Sequence, residues 1–317
     1  MSELNLTIFL LLITSLFSKL SSSNTLHKGA ACFSKTFLAT NFNASENNNI
    51  PLRINGNECG EDDFSISQRE DINLFTLADG VGSWVQYGVN PKIFTRELLK
   101  SINIQFKLLN NSTITEHDKR KVSFLLYIIS KAYDNVQRTK KFIRLGSCTL
   151  VALSLNLKTL HLNSYVLGDS GFMIIRNNRI VYRSKDLLHG FNFPFQLAFM
   201  TEHSNSPFDG FIRPFKLRVN DVIIIGSDGL FDNLYDEAIL YYVNKEVKYL
   251  SPKIQKGYSE AARRIAKKLT IIAKRIGEIE NEVATPFSDE VNALQILNFT
   301  VYNGKNDDTT VVAFIVS

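Results

Sequence analysis

Four aspartates in this 317-residue chain lie at the edges of apolar runs, a placement suited to metal chemistry. Asp79 follows Leu74-Phe-Thr-Leu-Ala and precedes Gly80. Asp228 follows the run Val222–Gly226 and Ser227, and precedes Gly229. Asp308 precedes the run Thr309–Val316, and Asp169 sits in Gly168-Asp169-Ser170-Gly171 between two further runs. A strand end holds its side chain rigidly, and an adjacent glycine lets backbone and ligand approach closely. Carboxylates gathered in one place repel unless a hard cation offsets them. Mg²⁺ and Mn²⁺ prefer oxygen ligands and keep several waters. A single Asp-Gly is usually an ordinary turn, since both residues dominate turns. Four acidic turns in one chain are a stronger signal. No histidine cluster or cysteine pair competes as a zinc site.

Other reactive groups carry less. Cys148 opens an expected strand and reads as a small buried hydrophobe, not a nucleophile. His189 has no second histidine nearby and is expected to pack or hydrogen-bond rather than ligate. Trp84 and Tyr87 line a substrate cleft or, at least as readily, pack in the core. Arg53 is a solvated loop arginine unless its loop folds back to the site. Lys253, Lys256, Arg263, Arg264, Lys267, Lys268, Lys274 and Arg275 form one basic helix face, more often solvated than a docking surface.

The elements that must position the aspartates follow from periodicity. Ile72–Ala78, Thr149–Leu155, Thr159–Leu167, Val222–Gly226 and Thr309–Val316 read as strands. Phe172–Arg176 and Arg179–Arg183 form a hairpin closed by Asn177-Asn178. Helical spacing covers Pro91 to about Leu109, with Pro91 suited to a helix start. It recurs over His117 to about Arg138 and over residues 252–280, whose apolar face includes Tyr258, Ala261, Ala262, Ile265 and Leu269. This mixture implies an α+β layered domain with antiparallel sheets.

Composition sets the class. With 44% apolar and 21% charged residues the chain is globular. A net charge of +5, spread along the chain, gives no case for nucleic acid. Three cysteines in no paired spacing argue against a disulfide framework, so the fold is expected not to depend on one. Leu4–Phe17 is apolar but too short to span a bilayer. It reads as a signal-peptide core processed between Ser15 and Ser23, while the acid-free, Lys- and Ser-containing stretch after Glu3 has transit-peptide composition. Residues 1–47 are therefore read as targeting segment and linker, and residues 48–317 as the folded domain. Sequons at Asn43, Asn110, Asn111 and Asn298 matter only on a secretory route.

The motifs Ala78-Asp79-Gly80-Val81-Gly82, Gly168-Asp169-Ser170-Gly171, Ser227-Asp228-Gly229-Leu230-Phe231-Asp232 and Gly304-Lys305-Asn306-Asp307-Asp308-Thr309 occur in an order that resembles type 2C, metal-dependent protein phosphatases. The stretches Asp79–Asn90, His189–Leu197 and Gly229–Asn233 are similar to the compact, mitochondrial-type branch. The resemblance runs from about Cys59 to Ser317. It implies a four-layer αββα sandwich, two central antiparallel sheets flanked by helices, with two Mg²⁺ or Mn²⁺ ions at one edge. By that pattern Asp79 bridges both ions, the Gly80 carbonyl serves one, and Asp228 and Asp308 complete the other. Asp62 resembles the acid that orders bound water, with Asp63 open in its place. Asp169, with Asp228, resembles the holder of a third ion. The implied activity is hydrolysis of phosphoserine and phosphothreonine on protein substrates, with a catalytically inactive scaffold as the alternative. A monomer without a transmembrane span is expected after processing, in the secretory pathway or an organelle, with the mitochondrion as the alternative. Two departures stand out. Val81 replaces a histidine common in larger relatives, and Asn57 stands where they carry a phosphate-binding arginine.

Overall fold

The computed structural model describes residues 24–36, 59–108, 123–138, 145–199, 204–248, 250, 255–279, 283–295 and 299–317. Its longer strands are β1 (Leu26–Phe33), β2 (Asp63–Arg69), β3 (Ile72–Ala78), β4 (Leu150–Asn156), β5 (His161–Leu167), β6 (Gly171–Arg176), β7 (Arg179–Arg183), β8 (Phe211–Lys216), β9 (Val222–Gly226) and β10 (Thr309–Val316). The main helices are α1 (Pro91–Leu108), α2 (Phe124–Arg138), α3 (Asp236–Val247), α4 (Gln255–Gly277) and α5 (Pro286–Ala293).

Two five-stranded antiparallel sheets form the centre, ordered β1-β10-β9-β6-β7 and β8-β5-β4-β3-β2. Strand alternation decides what each face meets. Phe75, Leu77, Val151, Leu153, Ile223, Ile225, Val312 and Phe314 point between the sheets, where the Phe75 and Phe314 rings stack 4.1 Å apart. Leu74 and Ala78 face outward onto Phe94, Leu98 and Ile102 of α1 and Leu125 and Ile129 of α2. Ile224, Val311 and Ala313 face α4 through Ala262, Ile265 and Leu269. The result is the expected αββα sandwich.

The expected strands are present within two residues of their predicted starts. Asn177 and Asn178 close the β6–β7 hairpin at φ 50° and 61°, the left-handed pair a two-residue turn requires. The second helix is shorter than expected; within His117–Arg138 it occupies Phe124–Arg138, and residues 109–122 lie outside the described residues.

Three expectations are corrected. Reading residues 1–47 as targeting segment and linker leaves out a strand of the sandwich, because β1 pairs along its whole length with β10, from Leu26↔Val316 to Phe33↔Thr309. Gly29 permits this, since a Cβ there would lie 2.5 Å from the Ala262 carbonyl oxygen of α4. Cys32 and Cys59 form a disulfide, with Cα atoms 5.0 Å apart. Spacing alone hid this pair because its two halves lie 27 residues apart on separate elements. Lys274 leaves the basic face of α4; it is buried and donates to the Lys35 carbonyl at 3.0 Å and to the Asn306 side chain.

Candidate metal centre

Register brings the motif aspartates to one rim. Gly226 at the end of β9 pairs with Val311 and Gly171, and Ala78 at the end of β3 pairs with Asp63. The residues that follow or precede those pairs therefore leave the sandwich at the same edge. Asp79 is fixed there by its neighbour strand, since its carbonyl accepts from Thr149 N at 2.9 Å. Gly80 and Cys148 form the non-hydrogen-bonded pair of that short bridge, flanked by Thr149 N to Asp79 O and Val81 N to Ser147 O. In such a pair the residue's own carbonyl faces away from the partner strand, so the Gly80 oxygen is free of the ladder.

The Asp79 and Asp228 carboxyl groups are close enough to act on each other's titration. Burial, then Asp228 and Asp62, holds Asp79 well above the usual carboxylate range. For Asp228 burial works upward, but Lys305 and the Asp79 contact outweigh it and leave the group below its ordinary value. Asp62 is fully buried, and burial followed by the Asp308 charge raises it strongly. Asp169 is raised by burial and by Asp228, against the opposing charge of Lys305.

Asp308, the residue before β10, also ties distant backbone segments together. Its Oδ1 accepts from Lys35 N and its Oδ2 from Glu61 N, both at 2.6 Å. It thereby staples the end of β1 and the Cys59–Asp62 loop to the start of β10. Gly60 makes room, with φ +64° and a position where a Cβ would lie 2.1 Å from Asp308 Oδ1. Lys92 of α1 holds the same loop from beneath, donating to Gly60 O at 2.6 Å and Asp62 O at 2.8 Å. Lys35 reaches over it to Glu61 at 2.7 Å.

Both carboxylate oxygens of Asp62, Oδ1 of Asp169 and Oδ1 of Asp228 are buried without a hydrogen-bond donor. Buried carboxylate oxygens are costly unless paired, and a divalent cation with oxygen preference is the partner this donor set fits. Among the described residues no three His, Cys, Asp or Glu side chains already converge as one closed site. Asp79 and Asp228 meet, Asp62 neighbours Asp308 and Asp228, and Asp308 is turned to backbone N–H groups. A carboxylate pair completed by backbone oxygen and water is the kind of site Mg²⁺ accepts.

Asp63 lies on β2 beside Lys92 and Arg96, with burial as the largest influence on it, and its carboxylate accepts from its neighbour Phe64 N at 2.9 Å. His189 stacks on Phe195 at 4.2 Å and bonds Asn205 at 3.0 Å, as expected of a packing histidine. Trp84 and Tyr87 are not core residues. They sit on the 3-10 turn Gly82–Tyr87 beside the site, Tyr87 exposed and Trp84 donating to Ser147 Oγ at 2.6 Å. Cys148 is buried, and burial pushes its thiol up, which leaves it inert. Arg53, Asn57, Lys253 and the sequons lie outside the described residues, as does the Lys256 side chain.

Sequence reasoning missed three lysines at this rim. Lys305 stands inside the quoted motif and contacts Asp228, as well as Asp232 at 2.8 Å and Asp307 at 3.5 Å. Lys35 and Lys92 stand in no motif of the sequence, so neither carries a local signal of its place at the rim.

No family model matches the chain. It is 29% identical over 271 residues to the 5-azacytidine resistance protein azr1 of Schizosaccharomyces pombe, covering 84% of this chain and 85% of that protein. It is 27% identical over 300 residues to the protein phosphatase PTC7 homolog fig of Drosophila mojavensis, covering 93% and 89%. It is 33% identical over 263 residues to the probable protein phosphatase 2C 80 of Arabidopsis thaliana, covering 81% of this chain and 55% of that longer protein. Among solved structures, the photosystem II phosphatase PBCP superposes with a TM-score of 0.68 at 24% identity, over 92% of this chain and 99% of that one. The catalytic domain of the serine/threonine phosphatase PstP, solved with two manganese ions, gives 0.54 at 15% identity over 92% and 99%. At these identities the two superpositions bear on the fold alone.

Proposed function

The chain belongs to the type 2C family of metal-dependent protein phosphatases, and on that premise we propose that it hydrolyses phosphoserine and phosphothreonine esters of proteins at the Asp79–Asp228 rim. The observation that carries this is the set of buried carboxylate oxygens left without donors at Asp62 and Asp228. Asp79, the Gly80 carbonyl and Asp228 would hold two Mg²⁺ or Mn²⁺ ions. Such cations, when bound, lower the pKa of water towards neutrality and offset charge on phosphoryl oxygens.

The remaining work falls to the chain's own groups. Asp62, with Glu61 beside it, orients the attacking water, which displaces the ester oxygen in line. Asp308 contributes by fixing the Glu61–Asp62 loop through its two backbone contacts, and its remaining lone pairs are available to a cation. Lys35, half exposed beside Glu61, is the side chain we assign to the phosphoryl oxygens, where larger relatives use an arginine. Val81 offers no proton, so the leaving oxygen takes its proton from ordered water. Asp79, Asp228 and Asp308 are all present, and nothing in the site favours an inactive scaffold.

Hydrolysis of a phosphothreonine peptide with Mn²⁺ tests the reading. EDTA is expected to abolish turnover. Asp79→Asn should lower kcat/KM by roughly 10²- to 10³-fold, the scale on which loss of one preorganised electrostatic group is felt. Turnover that survives both would overturn it.

The finer assignments are also our reading. The leader occupies residues 1–23, which lie outside the described residues, because Thr25 already pairs with Ser317 at 2.8 and 2.9 Å. The Cys32–Cys59 disulfide supports an oxidising compartment, hence the secretory route, with the mitochondrion as the alternative. The mature chain acts as a monomer.

A further inference from the structure

Lys305 is built into the aspartate rim from both ends. Its backbone N–H donates to Asn233 Oδ1 at 2.8 Å, and its carbonyl accepts from Asn233 Nδ2 at 2.8 Å. Asn233 ends the segment that begins with Asp228, so the loop before β10 is locked to the turn after β9. From that fixed point the side chain, only 15% exposed, reaches Asp228 Oδ2, Asp232 Oδ2 at 2.8 Å and Asp307 Oδ2 at 3.5 Å. Asn192 Oδ1 accepts from the same ammonium at 3.0 Å, and the Phe287 ring lies 5.7 Å beneath it. Asp169 feels both this charge and Asp228, while its buried Oδ1 has no donor.

The outer half of the cluster therefore already contains a cation supplied by the chain. A divalent ion between Asp169 and Asp228 would have to share the Asp228 carboxylate with an ammonium in contact with it. Like charges so placed repel strongly in a buried setting. The inner half differs: among the described residues no lysine forms an ion pair with the Asp79 or Asp62 carboxylate or with Asp228 Oδ1, and Lys92 reaches only the Asp62 carbonyl.

We propose that the Lys305 ammonium stands permanently at the outer cation position of the Asp169–Asp228–Asp232 cluster, so that this chain binds two divalent ions and excludes a third. Asp169 is then a partner in the charge balance around Lys305 and not a metal ligand. The inference rests on the metal-phosphatase reading above.

Metal counting tests it without reference to turnover. The full chain is dialysed to equilibrium against Mn²⁺ from micromolar to millimolar, and bound metal is measured by elemental analysis. Wild type is expected to saturate at two ions. Lys305→Met should gain a third ion, which Lys305→Met/Asp169→Asn should lose. Wild type saturating at three overturns the proposal and leaves the phosphatase reading intact, and it does so whether or not the variants fold. Lys305→Met that retains the wild-type circular dichroism spectrum but stays at two also overturns it. Wild type binding no metal overturns both readings.

Discussion

At the residue scale the rim is governed by how few charges neutralise how many buried carboxyl groups. Burial, opposed by Lys305 and reinforced by Asp228, pushes Asp232 up to about 7. Burial, reinforced by Asp228, pushes Asp307 up to about 6. Unfolded carboxylates titrate near 4, so the metal-free folded state holds these protons more tightly than the unfolded chain does. A raised folded pKa contributes stability that is complete below about pH 4 and is lost as pH rises through about 6 to 7. In EDTA the Tm should therefore fall between about pH 5 and pH 8. Mn²⁺ binds the ionised carboxylates of the inner site and should offset that fall most at the upper end. Scanning fluorimetry across the window checks this, and a Tm in EDTA that rises with pH would refute it. Asp79 and Asp228 were legible because each stands beside glycine after an apolar run. The task of Asp308 was not, because its backbone partners Lys35 and Glu61 lie 273 and 247 positions away.

At the element scale, β1 and the Cys59–Asp62 loop decide whether the rim has its proper shape. The loop is held by Asp308, by Lys92 and by the bond from Cys59 to Cys32 on β1. Closing a loop with a sequence separation of 27 restricts the unfolded chain by about 3–4 kcal/mol in the chain-entropy account. Cys32→Ser should lower the unfolding free energy by about that amount in guanidinium titrations. Mn²⁺ affinity should fall with it, since Cys59 is followed directly by Gly60, Glu61 and Asp62. Identical unfolding midpoints for wild type and variant would show that the bridge constrains nothing. The elements of the sheet centre were legible because β9 and β10 are apolar on both faces and bounded by Asp or Gly. Element α5 was missed although Thr285 and Ser288 form a reciprocal cap around Pro286 at its start. Its eight residues give too few turns for a periodic signal. Strand β8 was missed for another reason, since its residues are half-exposed at a sheet edge and Pro214 interrupts them.

For the whole molecule, the participation of β1 fixes how much of the N-terminus a processing enzyme can remove. Cleavage anywhere before Asn24 leaves both sheets complete. Cleavage near residue 47 would strip β10 of β1, one of its two partners, and expose that edge of the sheet. N-terminal sequencing of the protein purified from its native cells is expected to begin between residues 16 and 24, and a fluorescent protein carrying residues 1–23 should enter the secretory route. A mature N-terminus beyond residue 36, or delivery of the reporter to mitochondria, would contradict the assignment. None of the helices among the described residues is long and apolar enough to cross a membrane.

The chain's own sequence determined seven of the ten strands of the central sandwich, the hairpin at Asn177-Asn178 and the aspartates that mark the rim, because periodicity and turn chemistry act over a few residues. The tertiary structure alone decided which distant groups meet: Cys32 with Cys59, Asp308 with the Glu61 loop, and Lys305 with Asp228 and Asp232. Those pairings depend on register between sheets and on where loops leave them. No local window of residues encodes that.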